Sequence, residues 1–188
     1  MDIDTREAWI TTVSGVRVDL VDPDPATIHI ADIAHSLAAQ CRYNGHCKPW
    51  YSVAEHSVLV SHWLEGHGET ERVQLLGLLH DATEAYIGDI TWGVKQLIPE
   101  IRQAEHRLAP HIYNALGILP PTEDEEHIIK LGDRVLLVTE FQDMMGCGLV
   151  MDGLPDADEG MVFCYLDAKN ARECFLANWR CLAEKVGI

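Results

Sequence analysis

A chain of 188 residues, 47% apolar and 23% charged, is long enough to bury a substantial core as one domain. Its 30 acidic and 14 basic side chains give a formal net charge of −16, which argues against a nucleic-acid polymer or an anionic membrane as partner. No apolar run approaches the roughly 20 residues of a membrane span, and the opening MDIDTREAWI lacks the basic-then-apolar order of a signal peptide. A small phosphorylated substrate stays open, because a metal ion and a few cations can dominate one pocket. The cysteines at 41, 47, 147, 164, 174 and 181 show no CxxC spacing, and a chain of this size needs no disulfide framework. They read as reduced thiols in a cytoplasmic protein.

In chain order, WITTVSGVRVDL holds two β-favouring runs joined at Ser14-Gly15, a short hairpin within an appendage spanning residues 1–25. The two prolines of VDPDPAT break it. HIADIAHSLAAQ is the first helix, and CRYNGHCKPWY is a loop. A second helix opens at Ser52, with Glu55 three residues on completing a capping box, and closes near Gly66 and Gly68. A third runs from about Glu69 to Tyr86 and stops at Gly88. Pro99 suits the first position of a helix reaching Leu116. The acidic PPTEDEEH suits the N-terminus of a helix from about Glu123 to Met145. GCGLVMDGLPDADEG is a loop, and an amphipathic helix from Leu166 to Val186 ends the chain. The expected fold is all-α, with one small β appendage and no internal repeat.

Ionisable side chains are costly inside an apolar run, yet His80 and Asp81 follow Leu75, Leu76, Leu78 and Leu79 directly. A His-Asp pair alone lies within chance. On one helix its members diverge by about 100°, so an ion bound there must recruit ligands from other helices. His56 sits among Val53, Val58, Leu59 and Val60, where a lone His is more often a satisfied core residue than a ligand. Asp133 is flanked by Ile128, Ile129, Leu131, Val135, Leu136 and Leu137, and pairing with Lys130 or Arg134 is its bland explanation. Two His and two Asp suit a borderline divalent ion such as Zn, Mn or Co.

SVAEHS, then LLHDATEAYIGD, then KLGDRV resembles the H…HD…D signature of the HD-domain phosphohydrolases. The match is narrower with their short, all-helical nucleotidase branch of bacterial deoxynucleoside 5′-monophosphatases and phage-type deoxyadenosine triphosphohydrolases. It covers Ile30 to about Phe141 and includes Glu84, Asp89 and Lys95 three, eight and fourteen residues after Asp81, and Lys130 three before Asp133. The resemblance implies an HD core over residues 30–145, a C-terminal helix within 160–188, and His56, His80, Asp81 and Asp133 as metal ligands. It implies that Glu84 orients or deprotonates the attacking water and that Asp89 lies near the deoxyribose. Arg42, fourteen residues before His56, approximates the phosphate-binding Arg with a slip of about one residue.

Such chemistry has a physical rationale. A divalent ion polarises phosphate oxygens and lowers the pKa of water, a carboxylate assists as general base, and Arg42, Lys95 and Lys130 can neutralise phosphate; Mg can accompany the substrate phosphates. Trp50 and Trp92 could stack on a base or pack in the protein. His35 reads as structural, and His46 as a loop residue that could approach substrate. The expected function is release of triphosphate from a deoxynucleoside triphosphate of the dATP type. The alternatives are a deoxynucleoside 5′-monophosphatase, a non-catalytic nucleotide sensor, and a di-iron oxygenase drawing on His106 and His111. Self-association into a homo-oligomer is also expected of this branch.

Overall fold

Two short antiparallel strands, β1 (Trp9–Thr11) and β2 (Arg17–Asp19), pair Ile10 with Val18 and turn at Gly15, whose φ of 83° suits a residue without Cβ. The fully buried Val18 joins the main core, and Ser14 donates from its amide and hydroxyl to the Asp32 carboxylate at 3.3 and 2.7 Å. The hairpin is thereby fastened to the first helix. The computed structural model describes residues 8–146 and 153–188. The first seven residues, and positions 147–152 of the expected loop with Cys147 among them, lie outside the described residues.

Eight α-helices follow: α1 (Ile30–Ala39), α2 (Val53–Gly66), α3 (Glu71–Leu78), α4 (Glu84–Ile87), α5 (Trp92–Leu97), α6 (Glu100–Ala115), α7 (Glu123–Glu140) and α8 (Ala168–Val186). The described fold is all-α with a small N-terminal hairpin. No helix among the described residues is long and apolar enough to cross a membrane.

The starts follow from capping. Ser52, Thr70, Thr122 and Asp167 each accept a backbone amide near the start of α2, α3, α7 and α8, satisfying a donor that the helix itself cannot. Only half of the box expected at Ser52 forms. Glu55 instead turns its carboxylate to the amides of Cys164, Tyr165 and Leu166 at 2.8–3.0 Å, holding the approach to α8 against α2. The complete box lies at Thr122 and Glu125.

Helix α2 occupies the centre, packed by α1, α3, α7 and α8. Ile33, Leu37, Leu64, Leu76, Leu136 and Phe175 are fully buried there, each contributing roughly 1.5–3 kcal/mol. A single helix from Glu69 to Tyr86 does not form. Helix α3 ends at Leu78, and amides 82, 84, 85 and 86 bond to carbonyls three residues back before α4 takes over. This tighter winding re-aims His80 and Asp81. Pro99 is the cap of α6 and not its first residue. Helix α5 has no buried residue and so carries no apolar face by which periodicity could reveal it. The expected helix to Met145 continues past Glu140 as one wide turn, Phe141–Met145.

Candidate metal centre

Three elements bring the four candidate ligands together. His56 comes from the first turn of α2 and is fully buried, His80 and Asp81 come from the tight turn after α3, and Asp133 from the middle of α7. His56 Nε2 lies 3.3 Å from His80 Nε2 and 3.2 Å from Asp133 Oδ1. His80 Nε2 lies 3.2 Å from Asp81 Oδ2 and 3.8 Å from Asp133 Oδ1, and His56 Nε2 is 3.8 Å from Asp81 Oδ2. Four donors at about 2.1 Å from one ion stand roughly 3.4 Å apart in a tetrahedron. The observed separations bracket that value.

The far ring nitrogens are already occupied. His80 Nδ1 donates to the Gly77 carbonyl at 2.7 Å, and His56 Nδ1 donates to Glu140 Oε1 at 2.6 Å. Each Nε2 is thereby the nitrogen turned toward the cluster. Although burial opposes it, Asp81 and Asp133 raise the His80 imidazole well above its ordinary value, so a proton holds this site in the absence of an ion and is released when a divalent ion binds. The donor set and its spacing fit a divalent ion. Among the described residues, the donor atoms of His56, His80 and Asp81 all lie within 4.8 Å of one another, and Asp133 adjoins this group through its contacts with the two imidazoles. Among the described residues Asp133 makes its close contacts with the two imidazoles and forms no ion pair with Lys130 or Arg134; Lys130 bonds Glu126 at 3.1 Å.

Glu140 is the residue that sequence reasoning missed. Fully buried, it receives His56, the Tyr51 hydroxyl at 2.8 Å, the Tyr43 hydroxyl and Arg42 Nε at 3.3 Å. Burial alone would raise its carboxyl, but the charge of Arg42 and the hydrogen bonds from His56 and Tyr43 hold it down to about 2. Its only sequence signal was an acidic residue seven positions after Asp133, in an otherwise apolar stretch. Arg42 is buried, and its Nη1 lies 3.6 Å from Asp81 Oδ2, so it braces the cluster.

A cavity of about 460 Å³ opens beside the cluster, lined in part by His80, Asp81, Glu84, Lys95, Lys130 and Asp133. Glu84 begins α4. Burial, reinforced by Asp81 and Asp89, pushes its carboxyl well above the usual range. Its Oε1 accepts from Lys95 Nζ at 3.1 Å, while its buried Oε2 has no partner. Lys95 also pairs with Glu105 at 2.8 Å, so its charge is shared between two carboxylates. Lys130 stands on the cavity wall with an exposed side chain. Asp89 is half-buried, its carboxyl raised mainly by that burial, and its amide donates to Gln40 Oε1 at 2.8 Å.

Trp50 and Trp92 are exposed and line neither the cavity beside the cluster nor the one beside His35. His46 is exposed in its loop. His35 lines a separate cavity between β1 and α1. His106 is on the wall of the metal-side cavity and His111 is not, and neither belongs to the ligand group.

No protein-family model matches the chain. It is 38% identical over 149 residues to an uncharacterized protein of Rhodobacter capsulatus, RCAP_rcc00048, an overlap covering 75% of each chain. Over 157 residues it is 35% identical to the uncharacterized protein YfdR of Escherichia coli, covering 79% of this chain and 81% of that protein.

Proposed function

Because the chain belongs to the family of these two bacterial proteins, whose names carry no activity, we propose a function from its own site: a divalent-metal-dependent phosphohydrolase of deoxynucleotides. The observation that carries this reading is the convergence of His56, His80, Asp81 and Asp133, with the Nε2 of each imidazole turned inward and each Nδ1 engaged by Glu140 or Gly77. With the resemblance to the short HD-domain nucleotidases, it favours a Zn, Mn or Co ion and a cytoplasmic enzyme. When bound, such an ion supplies Lewis-acid polarisation of a phosphoryl oxygen and a more acidic water.

The protein's own residues account for the rest. Glu84 presents an unpartnered oxygen at a cavity wall while Lys95 fixes the other. A carboxyl raised above its ordinary range by burial and held in one orientation suits a general base taking a proton from water, worth roughly 10²–10⁴-fold. Lys95 therefore acts as a positioning residue for Glu84. Lys130 is the cavity cation accessible to substrate phosphates, and Asp89 faces the same cluster and would restrict a 2′-hydroxyl. Arg42 holds Asp81 and Glu140, which leaves substrate phosphate as a secondary role for it. Triphosphates of the dATP type remain the favoured substrate, on the resemblance and on Lys130.

The test is a panel of deoxy- and ribonucleoside mono- and triphosphates with Mn, Co, Zn or Mg, products being separated by chromatography and Asp81→Ala serving as control. Nucleoside plus triphosphate, abolished by chelator, is the expected result. Nucleoside plus phosphate from monophosphates alone would make it a 5′-nucleotidase. Absence of turnover under every metal would overturn the hydrolase reading, and tight binding without turnover would favour a sensor.

A further inference from the structure

Outside the ligand cluster, the turn that carries Arg42 is closed by two thiols. Cys41 and Cys47 place their sulfurs 3.7 Å apart, and the Cys47 thiol donates to the Arg42 carbonyl at 3.6 Å. Between them, Tyr43 and Asn44 take φ values of 57° and 51°, the left-handed region that non-glycine residues seldom occupy. The ends of the turn are anchored, by the Arg42 amide on the Tyr51 carbonyl at 2.9 Å and the Lys48 amide on the Met144 carbonyl at 3.2 Å. Arg42 and Tyr43, the two residues that follow Cys41, are also two of the donors to Glu140.

We propose that Cys41 and Cys47 are a reversible oxidation site, a dithiol that a peroxide converts to a disulfide, weakening the Arg42–Glu140–His56 line of contacts and with it metal binding. Cys41 is half-buried and reachable, whereas Cys47 is buried and its thiol is pushed up to about 11, mainly by burial. Cys41 is therefore the first to react. Its thiolate attacks the peroxide, an S–O bond forms as the O–O bond breaks, and the released hydroxide leaves as water. Cys47 sulfur then attacks the Cys41 sulfur. The S–S bond forms, the S–O bond breaks, and the hydroxide departs with the Cys47 proton as a second water. Both sulfurs are oxidised and the peroxide is reduced; a small dithiol reverses the change by exchange.

A disulfide brings the sulfurs from 3.7 Å to about 2.05 Å. That movement takes Cys47 off the Arg42 carbonyl and draws the two ends of the turn together. Arg42 and Tyr43 ride on the turn, so their hold on Glu140 loosens, and with it the orientation of His56. Loss of such support around a metal-binding His lowers affinity by about tenfold or more.

The inference rests on the metal-binding reading of the cluster, and the experiment separates the two. Full-length reduced protein is treated with hydrogen peroxide, then digested and mapped by mass spectrometry. Zinc affinity is measured by competition with a chromophoric chelator before oxidation, after it, and after dithiothreitol. We expect the segment containing Cys41 and Cys47 to be lighter by two hydrogens, zinc affinity to fall about tenfold, and dithiothreitol to restore both. Cys47→Ser protein should show neither change. Absence of the linkage from the peptide map overturns the proposal whatever metal does. A mapped linkage with unchanged zinc affinity overturns the coupling to His56. A protein that binds zinc in neither state refutes the metal-centre reading, and the peptide map still decides the oxidation site.

Discussion

Replacing Glu140 by Gln keeps the volume of a fully buried side chain and removes the charge that Arg42 and His56 face. The amide oxygen can still accept from His56 Nδ1, but buried Arg42 loses its main counter-charge. We expect metal affinity to fall about tenfold and unfolding free energy to drop by about 3 kcal/mol. Chelator competition and denaturant unfolding measure the two effects, and an unchanged affinity would remove Glu140 from its positioning role. The four candidate ligands were legible because their spacings stand out in one dimension. Glu140 was not, since its meaning comes from Arg42, 98 residues earlier, and from Tyr51, 89 residues earlier. Nothing in a local window distinguishes it from a solvated glutamate. Whether Lys95 is already paired, or Trp50 and Trp92 already face solvent, is hidden for the same reason, since it is settled by partners distant in sequence.

Helix α7 crosses α2 at Gly132, directly before Asp133. A Cβ at Gly132 would lie 2.9 Å from Trp63 Cε3 and 3.3 Å from Cζ3, and Trp63 is itself stacked on His67 at 3.8 Å. Gly132→Ala therefore forces α7 away from α2 even though alanine favours helix by about 1 kcal/mol. Overpacking of about 1–3 kcal/mol outweighs that gain, so the variant should unfold about 1 kcal/mol more easily. Its metal affinity should also be weaker because Asp133 moves with the helix; a more stable variant would show that Trp63 yields freely. At the start of the same helix, Glu125 completes the Thr122 box and receives Arg72 Nε at 2.8 Å, tying α3 to α7. Glu125→Ala should cost about 1 kcal/mol. Although burial opposes it, bonds from Arg72 and the Thr122 amide hold this carboxyl below its ordinary 4.5. Its contribution is thus full above that value and fades as pH falls through the lower folded value. Thermal melts of both proteins across that range should converge in acid; a gap that widened would contradict the sign. Caps and apolar faces made most helix limits readable. The break after Leu78 was hidden because LLGLLHDATEAY holds no proline and its leucines and alanines favour a helix on both sides of the break. The tight turn is imposed by the long-range contacts of His80 and Asp81, and Gln40 supports it by donating to the Glu84 carbonyl at 3.0 Å.

Taken whole, the molecule presents a formal charge of −16 to any solute, and a nucleotide is itself an anion. Near the centre the balance hardly improves, since Lys95 is neutralised by Glu84 and Glu105, and Arg42 by Glu140 and Asp81. Lys130 is left, itself 3.1 Å from Glu126. A nucleotide therefore approaches against the field of the whole protein, where most phosphate-binding proteins are steered by an attractive one. Raising salt from about 10 mM to about 150 mM shortens the Debye length from about 30 Å to about 8 Å. The long-range repulsion is then screened while contacts inside the cavity persist. We expect kcat/KM for the nucleotide substrate to rise several-fold over that range through a falling KM, with kcat nearly constant. The opposite slope would mean that the bound metal and Lys130 outweigh the acidic surface at encounter distance, and that the approach to the site is electropositive once the ion is in place.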